Sequence, residues 1–127
     1  MTEQINALIK KIDEDIEEEV VLIINGIEMT CFIGVCPYNI SEGKEYPVSL
    51  SFTTLDDLEF EEVEEQECYL MRLGSGFSYS AVGEFSNESV LIKGITFECE
   101  DLEDMSYLQG KYIKLNADRI TVDFIGN

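Results

Sequence analysis

The stretch "VVLIINGIEMTCFIGV", Val20 to Val35, decides the fold class. Its first five residues are all apolar, as in a strand covered on both faces. From Ile27 the pattern alternates. Ile27, Met29, Cys31, Ile33 and Val35 point one way, and Glu28 and Thr30 the other. Asn25-Gly26 lies between the two halves and has two readings. It is either a tight hairpin turn or a bulge that bends one long strand. Both readings make the chain β-rich.

Working towards the C-terminus, "CPYNISEGKEYP" is loop chemistry, with Pro37, Asn39, Gly43 and Pro47 interrupting pairing. "VSLSFTTL" then alternates with Val48, Leu50 and Phe52 inward. "CYLMRL" and "FSYSAVGEF" flank a "GSG" loop, and "SNES" is a turn leading into "VLIKGITFEC". The inward parity shifts around Gly94, which points to a bulge there. "EDLEDMSYLQG" is a connector with one helical turn, ending at Gly110. Ile113 and Leu115 have odd parity, whereas Ile120, Val122 and Phe124 have even parity. A turn or bulge across Asn116 to Asp118 is needed to keep both sets in one core. About seven strands result.

Towards the N-terminus, Ile5, Leu8, Ile9, Ile12 and Ile16 share one face of a helix. Thr2 is its N-cap, and Glu3 sits at the favourable end of the dipole. The acids of "DEDIEEE" are unfavourable at a helix C-terminus, so the helix should stop near Ile12 to Ile16. The expected architecture is α+β, mainly β, in one domain over residues 1–127. It is a curved antiparallel sheet or small β-barrel, OB-like in one form, with the N-terminal helix packed on it.

Charge narrows the partner. The net charge is −19, from 27 acidic and 8 basic residues, while 45% of residues are hydrophobic. The hydrophobic share is too high for a disordered chain. The charge disfavours nucleic acid and anionic membranes, and favours a basic protein, a cation or simple solubility. "MTEQINALIKKIDEDIEEE" has neither a positive start nor a continuous apolar run. A cytoplasmic location is the default expectation. Cys31, Cys36, Cys68 and Cys99 are scattered without a CxxC pair and should be reduced.

The chain has no histidine, which removes the commonest general base and every Ser-His or Cys-His nucleophile pair. Acids are so abundant that a carboxylate pair carries little information. The expectation is not an enzyme, with no catalytic residue, no metal and no cofactor. Zinc would need all four cysteines, but Cys31 and Cys99 run in phase with apolar strand residues and read as core thiols. No acidic run has calcium-loop spacing, and "LGSGFS" lacks the lysine and spacing of a phosphate loop. Tyr69, Phe77 and Tyr79 could stack on bases only in a positive groove, and only Arg72 and Lys93 are near them in sequence.

Three acidic runs remain: Asp13–Glu19, Asp56–Glu67 and Glu98–Asp104. Such runs are commonly solvated faces. Leu58, Phe60 and Val63 interrupt the second and Leu102 the third, which implies ordered backbone anchored to the core. Strand residues advance about 3.3 Å, close to the phosphate spacing of about 3.4 Å along a nucleic-acid strand. A row of acids could therefore fill a basic cleft built for nucleic acid. The expected protein-binding surface is Glu59, Glu61, Glu62, Glu64 and Glu65, with Asp101, Glu103 and Asp104 as a second contributor. The expected function is a non-catalytic acidic binding protein that sequesters a basic protein. Its most concrete form is an immunity- or antitoxin-like inhibitor of a basic nuclease toxin; the chain resembles such small acidic proteins in composition. The alternatives are an acidic adaptor or accessory subunit and, third, a small carboxylate-based enzyme.

Overall fold

The computed structural model describes residues 5–55, 59–64, 67–102 and 105–126. They form eleven strands: β1 (Ile5–Ile12), β2 (Glu19–Ile24), β3 (Ile27–Val35), β4 (Glu45–Thr53), β5 (Glu59–Val63), β6 (Tyr69–Arg72), β7 (Tyr79–Ser86), β8 (Ser89–Ile92), β9 (Ile95–Glu98), β10 (Tyr112–Ala117) and β11 (Arg119–Phe124). Two short 3-10 turns, Glu100–Leu102 and Ser106–Leu108, fill the connector after β9.

Asn25-Gly26 is a hairpin turn. Both residues have positive φ, 51° and 78°, the backbone that a two-residue turn needs to match the strand twist. Ile24 then faces Ile27, and Val20 faces Cys31. Asn87-Glu88 and Lys93-Gly94 repeat the device, again with positive φ at both positions. The feature expected as a bulge at Gly94 is therefore a chain reversal between β8 and β9, and the reversal accounts for the parity shift.

The N-terminal helix is replaced by β1. Ile5, Ala7 and Ile9 alternate in a strand that pairs with β4 through Ile5–Leu8 and with β2 through Leu8–Ile12. A register shift between Ile9 and Lys11 resets the phase, so Ile12 returns to partial burial. The spacing of Ile5, Leu8, Ile9 and Ile12 mimics a helical face because an alternating strand with one bulge produces the same positions. The acids after Ile12 make the turn: Asp13 Oδ1 accepts the N–H of Asp15 and of Ile16, each at 2.8 Å.

The sheet is also mixed rather than antiparallel, and it is not a barrel. Its order is β1-β2-β3-β11-β4-β9-β8-β7-β10-β5, with β6 paired to β7. β3–β11 and β4–β9 are parallel. The path ends at β5, which pairs with β10 alone among the described residues, while at the other end β1 also pairs back to β4.

Inward positions from both ends of this path meet in one hydrophobic cluster that includes Ile9, Leu22, Met29, Phe85, Phe97, Ile113 and Val122. Each such buried side chain contributes about 1.5–3 kcal/mol of transfer free energy. The parity change between Leu115 and Ile120 is achieved at Asp118, where the chain passes from β10 beside β7 to β11 beside β4. Asp118 N–H donates to Thr53 O at 3.0 Å, and its Oδ2 accepts from Leu55 N at 2.6 Å. Val35, in phase with the inward set, is 55% exposed, because a register shift at Gly34 sets it opposite the outward residue Asp123 of β11.

Cys31 and Cys99 are both buried, as core thiols should be, whereas Cys36 is exposed. Burial pushes the Cys31 thiol far above its ordinary value of 9.0. Burial also raises Tyr79 above 10.0, against the lowering effect of the Thr30 N–H, which donates to its hydroxyl at 2.8 Å. A pKa raised on folding gives stability that is complete below the unfolded value and is lost as pH rises through the folded one. The melting temperature should therefore hold to about pH 9 and fall beyond it, and Cys31→Ala should delay the fall towards the tyrosine range. A thermal melt series tests this. A melting temperature that stays constant to about pH 11 would show that neither group is buried.

Candidate functional site

β5 ends the sheet and, among the described residues, pairs only with β10. Its register sets Glu59 opposite Asn116, Glu61 opposite Lys114, and Glu62 opposite Ile113. Side chains alternate along a strand, so the five residues divide. Glu59, Glu61 and Val63 share the outer face with Lys114. Phe60 and Glu62 lie on the other face, where Phe60 packs against the core. Glu59, Glu61, Glu62 and Glu64 are all exposed. Lys111 Nζ lies 3.3 Å from Glu62 Oε2, with both side chains about half exposed. Such a pair contributes little to stability, but it offsets one of the negative charges. Glu61 and Lys114 also line a shallow groove with Glu64, Tyr69 and Val82.

Asp101 belongs to the 3-10 turn that follows β9. β8, β7 and β10 separate β9 from β5 in the sheet order. The two acidic runs are therefore not neighbours in one strand-to-strand row. Glu65, Glu103 and Asp104 lie outside the described residues. Of the anchors, Leu102 is fully buried and Val63 half-buried.

A second polar surface lies across β11, β4 and β9. Asp123 is opposite Ser49, and Ser51 is flanked by Thr121 of β11 and Glu98 of β9. Ser49, Ser51, Thr53, Glu98, Glu100 and Asp123 line a cleft of about 430 Å³. Thr53 Oγ1 and Thr121 Oγ1 are 2.7 Å apart and share a hydrogen bond. Gly34 of β3 makes room for the Asp123 side chain. A Cβ at Gly34 would collide with the Asp123 carboxylate and would lie 2.8 Å from Thr121 Cγ2. Arg119, on the same face of β11, stacks its guanidinium 4.0 Å from the Phe32 ring centroid. Four strand residues, about 13 Å, separate it from Asp123.

The aromatic trio does not form a platform. Tyr79 is 3% exposed and bonded to the Thr30 backbone, while Phe77 packs edge-on against Phe32 at 5.8 Å. The "GSG" segment connects the β6–β7 hairpin. Arg72 Nε donates to Gly76 O at 2.9 Å across it, and Leu73 N–H to Ser78 O at 2.8 Å.

A family model described as Uncharacterised conserved protein UCP019853 matches residues 3–125. The chain belongs to this family. None of the curated proteins matches it. The family membership spans both polar surfaces, the acidic edge at β5 and the cleft over β4. Among the described residues, no helix is long and apolar enough to cross a membrane.

The cleft was missed in the sequence, although its signal was present. In "VSLSFTT" the outward half of the alternation is Ser49, Ser51 and Thr53, an unbroken hydroxyl row. In "RITVDF" the outward half ends in Asp123. Only the strand pairing brings the two rows together.

Proposed function

We propose that this chain is a non-catalytic acidic binding protein that sequesters a basic protein, most concretely as an immunity- or antitoxin-like inhibitor of a basic nuclease in the cytoplasm. The observation that carries the reading is the place of β5. The strand bearing Glu59, Glu61 and Glu62 is paired on one side only among the described residues. An open strand edge offers backbone donors and acceptors to an extended partner. Its carboxylates repel a second copy of itself and attract a basic segment, so charge selects the partner that geometry admits. Lys111 and Lys114 temper this charge at Glu62 and Glu61. Glu59 and Glu64 make no ion pair among the described residues.

Reversing Glu61, Glu62 and Glu64 to lysine should weaken partner binding by about 30-fold or more, with little change in the melt. The matched control reverses Glu14, Asp15 and Glu17, which are exposed in the β1–β2 turn. It spares Asp13, whose carboxylate holds that turn. Affinity capture from the native host with wild type and both variants, followed by titration of the captured protein, provides the measurement. A basic protein retained by wild type and control and released by the β5 variant is the expected outcome. Equal retention by all three, or an acidic partner, would remove the electrostatic reading. Association should also slow steeply as salt rises, because screening weakens steering.

A further inference from the structure

Arg119 is held in a way that the β5 reading does not use. Among the described residues its Nε is the one buried side-chain nitrogen or oxygen without a hydrogen-bond partner. Its guanidinium lies 4.0 Å from the Phe32 ring centroid, and Phe77 braces that ring edge-on. The two ion pairs among the described residues are Lys10 with Glu28 and Lys111 with Glu62, and neither involves Arg119. Glu19 stands opposite Phe32 on β2 and forms no ion pair with it. In a chain of 27 acidic residues, an arginine without a carboxylate is unexpected. Arg72 shows the ordinary arrangement, with Nε and Nη2 donating to Gly76 O and Ser75 O. A cation–π stack returns less than an unmet buried donor costs, so the arrangement is unfavourable until an acceptor arrives.

The surroundings define that acceptor. Thr53 of β4 lies opposite Arg119, and Thr121 follows two residues on along β11. The two threonine hydroxyls share one hydrogen bond at 2.7 Å, which leaves one hydroxyl proton free to donate. Guanidinium and hydroxyl together offer donors to an oxyanion, and the half-buried Phe32 and Phe77 offer apolar surface beside them. Arg119 is itself half-buried, so it is approached from the surface. A planar carboxylate that takes Nε and the Nη beside it makes two parallel N–H···O bonds. Nε is covered in the free protein, so it is taken up as the guanidinium tilts onto the ligand. The net charge of −19 repels a phosphate dianion about twice as strongly as a carboxylate.

We infer that Arg119 binds the carboxylate of a small organic acid whose apolar body rests on Phe32 and Phe77. The guanidinium supplies two charge-assisted hydrogen bonds, and the free hydroxyl proton of the Thr53–Thr121 pair supplies a third. This site rests on donors, whereas the function proposed for β5 rests on carboxylates, so either stands without the other.

Proton–nitrogen NMR titration at moderate salt tests the inference, with 3-phenylpropionate, acetate and phenyl phosphate as probes. One saturable 3-phenylpropionate site is expected, read at the Arg119 Nε–H signal and at the amides of Phe32, Phe77 and Thr121. Acetate should bind about tenfold more weakly or worse, because it leaves the rings uncovered. Arg119→Met should weaken 3-phenylpropionate about tenfold or more. Its melting temperature should be unchanged or higher, since the variant removes the unmet donor and keeps an apolar stem on Phe32. Thr121→Val should weaken the site several-fold. Lys44→Gln removes the same charge at an exposed position and should keep the affinity within about twofold. Absence of a saturable shift at the Arg119 Nε–H would overturn the inference. So would equal losses in Lys44→Gln and Arg119→Met, because binding would then follow net charge alone. Tighter binding of phenyl phosphate would overturn the carboxylate assignment. A lower melting temperature in Arg119→Met with 3-phenylpropionate affinity retained would make the stack on Phe32 purely structural and would also overturn it.

Discussion

Phe97→Ala should cost about 4 kcal/mol of folding stability, the largest loss expected from any single truncation in this chain. Phe97 is fully buried in β9 and stacks on Phe52, with centroids 4.6 Å apart and planes 11° from parallel. Truncation removes the ring's transfer free energy, leaves a cavity, and ends an aromatic pair that adds about 0.5–1.5 kcal/mol. Position enlarges the effect. β4–β9 is the only strand pairing among the described residues that joins the β1, β2, β3, β11, β4 group to the β9, β8, β7, β10, β5, β6 group. It consists of two residue pairs, Leu50 with Phe97 and Ser51 with Glu98. A native domain is stable by only about 5–15 kcal/mol. The variant should therefore lose a third or more of its stability and show a lower urea midpoint, with a broadened transition if the two groups begin to unfold separately. Tyr107→Ala, at a side chain 66% exposed, should stay within about 0.5 kcal/mol. A loss below about 1.5 kcal/mol in Phe97→Ala would mean that the join between the groups lies elsewhere.

The β character of this chain was legible because it rests on period-2 alternation that the structure keeps. Val48, Leu50 and Phe52 are buried, and so are Ile120, Val122 and Phe124. The change of phase between β10 and β11 was legible for the same reason, since two buried sets of opposite parity cannot share a core without an extra residue between them. The first strand was not. Four apolar positions at helical spacing also fit a strand with one bulge, and a bulge leaves no mark in a pattern of eight residues. Three of those four are β-branched isoleucines, which favour a strand; the spacing outweighed that signal. Strand order was not legible either. The parallel pairs β3–β11 and β4–β9 join segments far apart in sequence, and no local pattern specifies them.

The same division applies to the sites. The acids of β5 are visible as a charge run, but which face each one takes depends on Phe60 packing inward and on the register with β10. The cleft over β4 depends wholly on long-range pairing. Asp123 reaches Ser49 only because β11 docks between β3 and β4. Composition could reveal that the surface is negative. It could not separate an edge that offers backbone from a cleft lined by hydroxyls.

Gly83→Val should be nearly as damaging, at about 3 kcal/mol, and should also remove partner binding at β5. A Cβ at Gly83 would fall 2.6 Å from Val90 Cγ1 and 2.7 Å from Ile92 Cγ1, and would collide with the Leu91 carbonyl oxygen. The carbonyl is backbone, so no rotamer change relieves the clash, and the β7–β8 hairpin must shift. Gly83 is also where β7 changes neighbours. Up to Val82 it pairs with β6, and from Glu84 it pairs with β8. On its other side Gly83 faces Ile113 of β10. β10 in turn carries β5, so the acidic edge is held in place through this one strand. Displacing β7 should loosen β10 and β5 without touching a single carboxylate. Urea unfolding gives the stability loss, and hydrogen exchange at the amides of β10 and β5 reports the loosening. Gly76→Ala is the control, because its Cβ would meet nothing within 4 Å and its stability should change by less than about 0.5 kcal/mol. If Gly83→Val lowered stability while β10 and β5 kept wild-type exchange and partner capture, the edge strand would be anchored independently of β7, and the chain of support from β7 through β10 to β5 would be wrong.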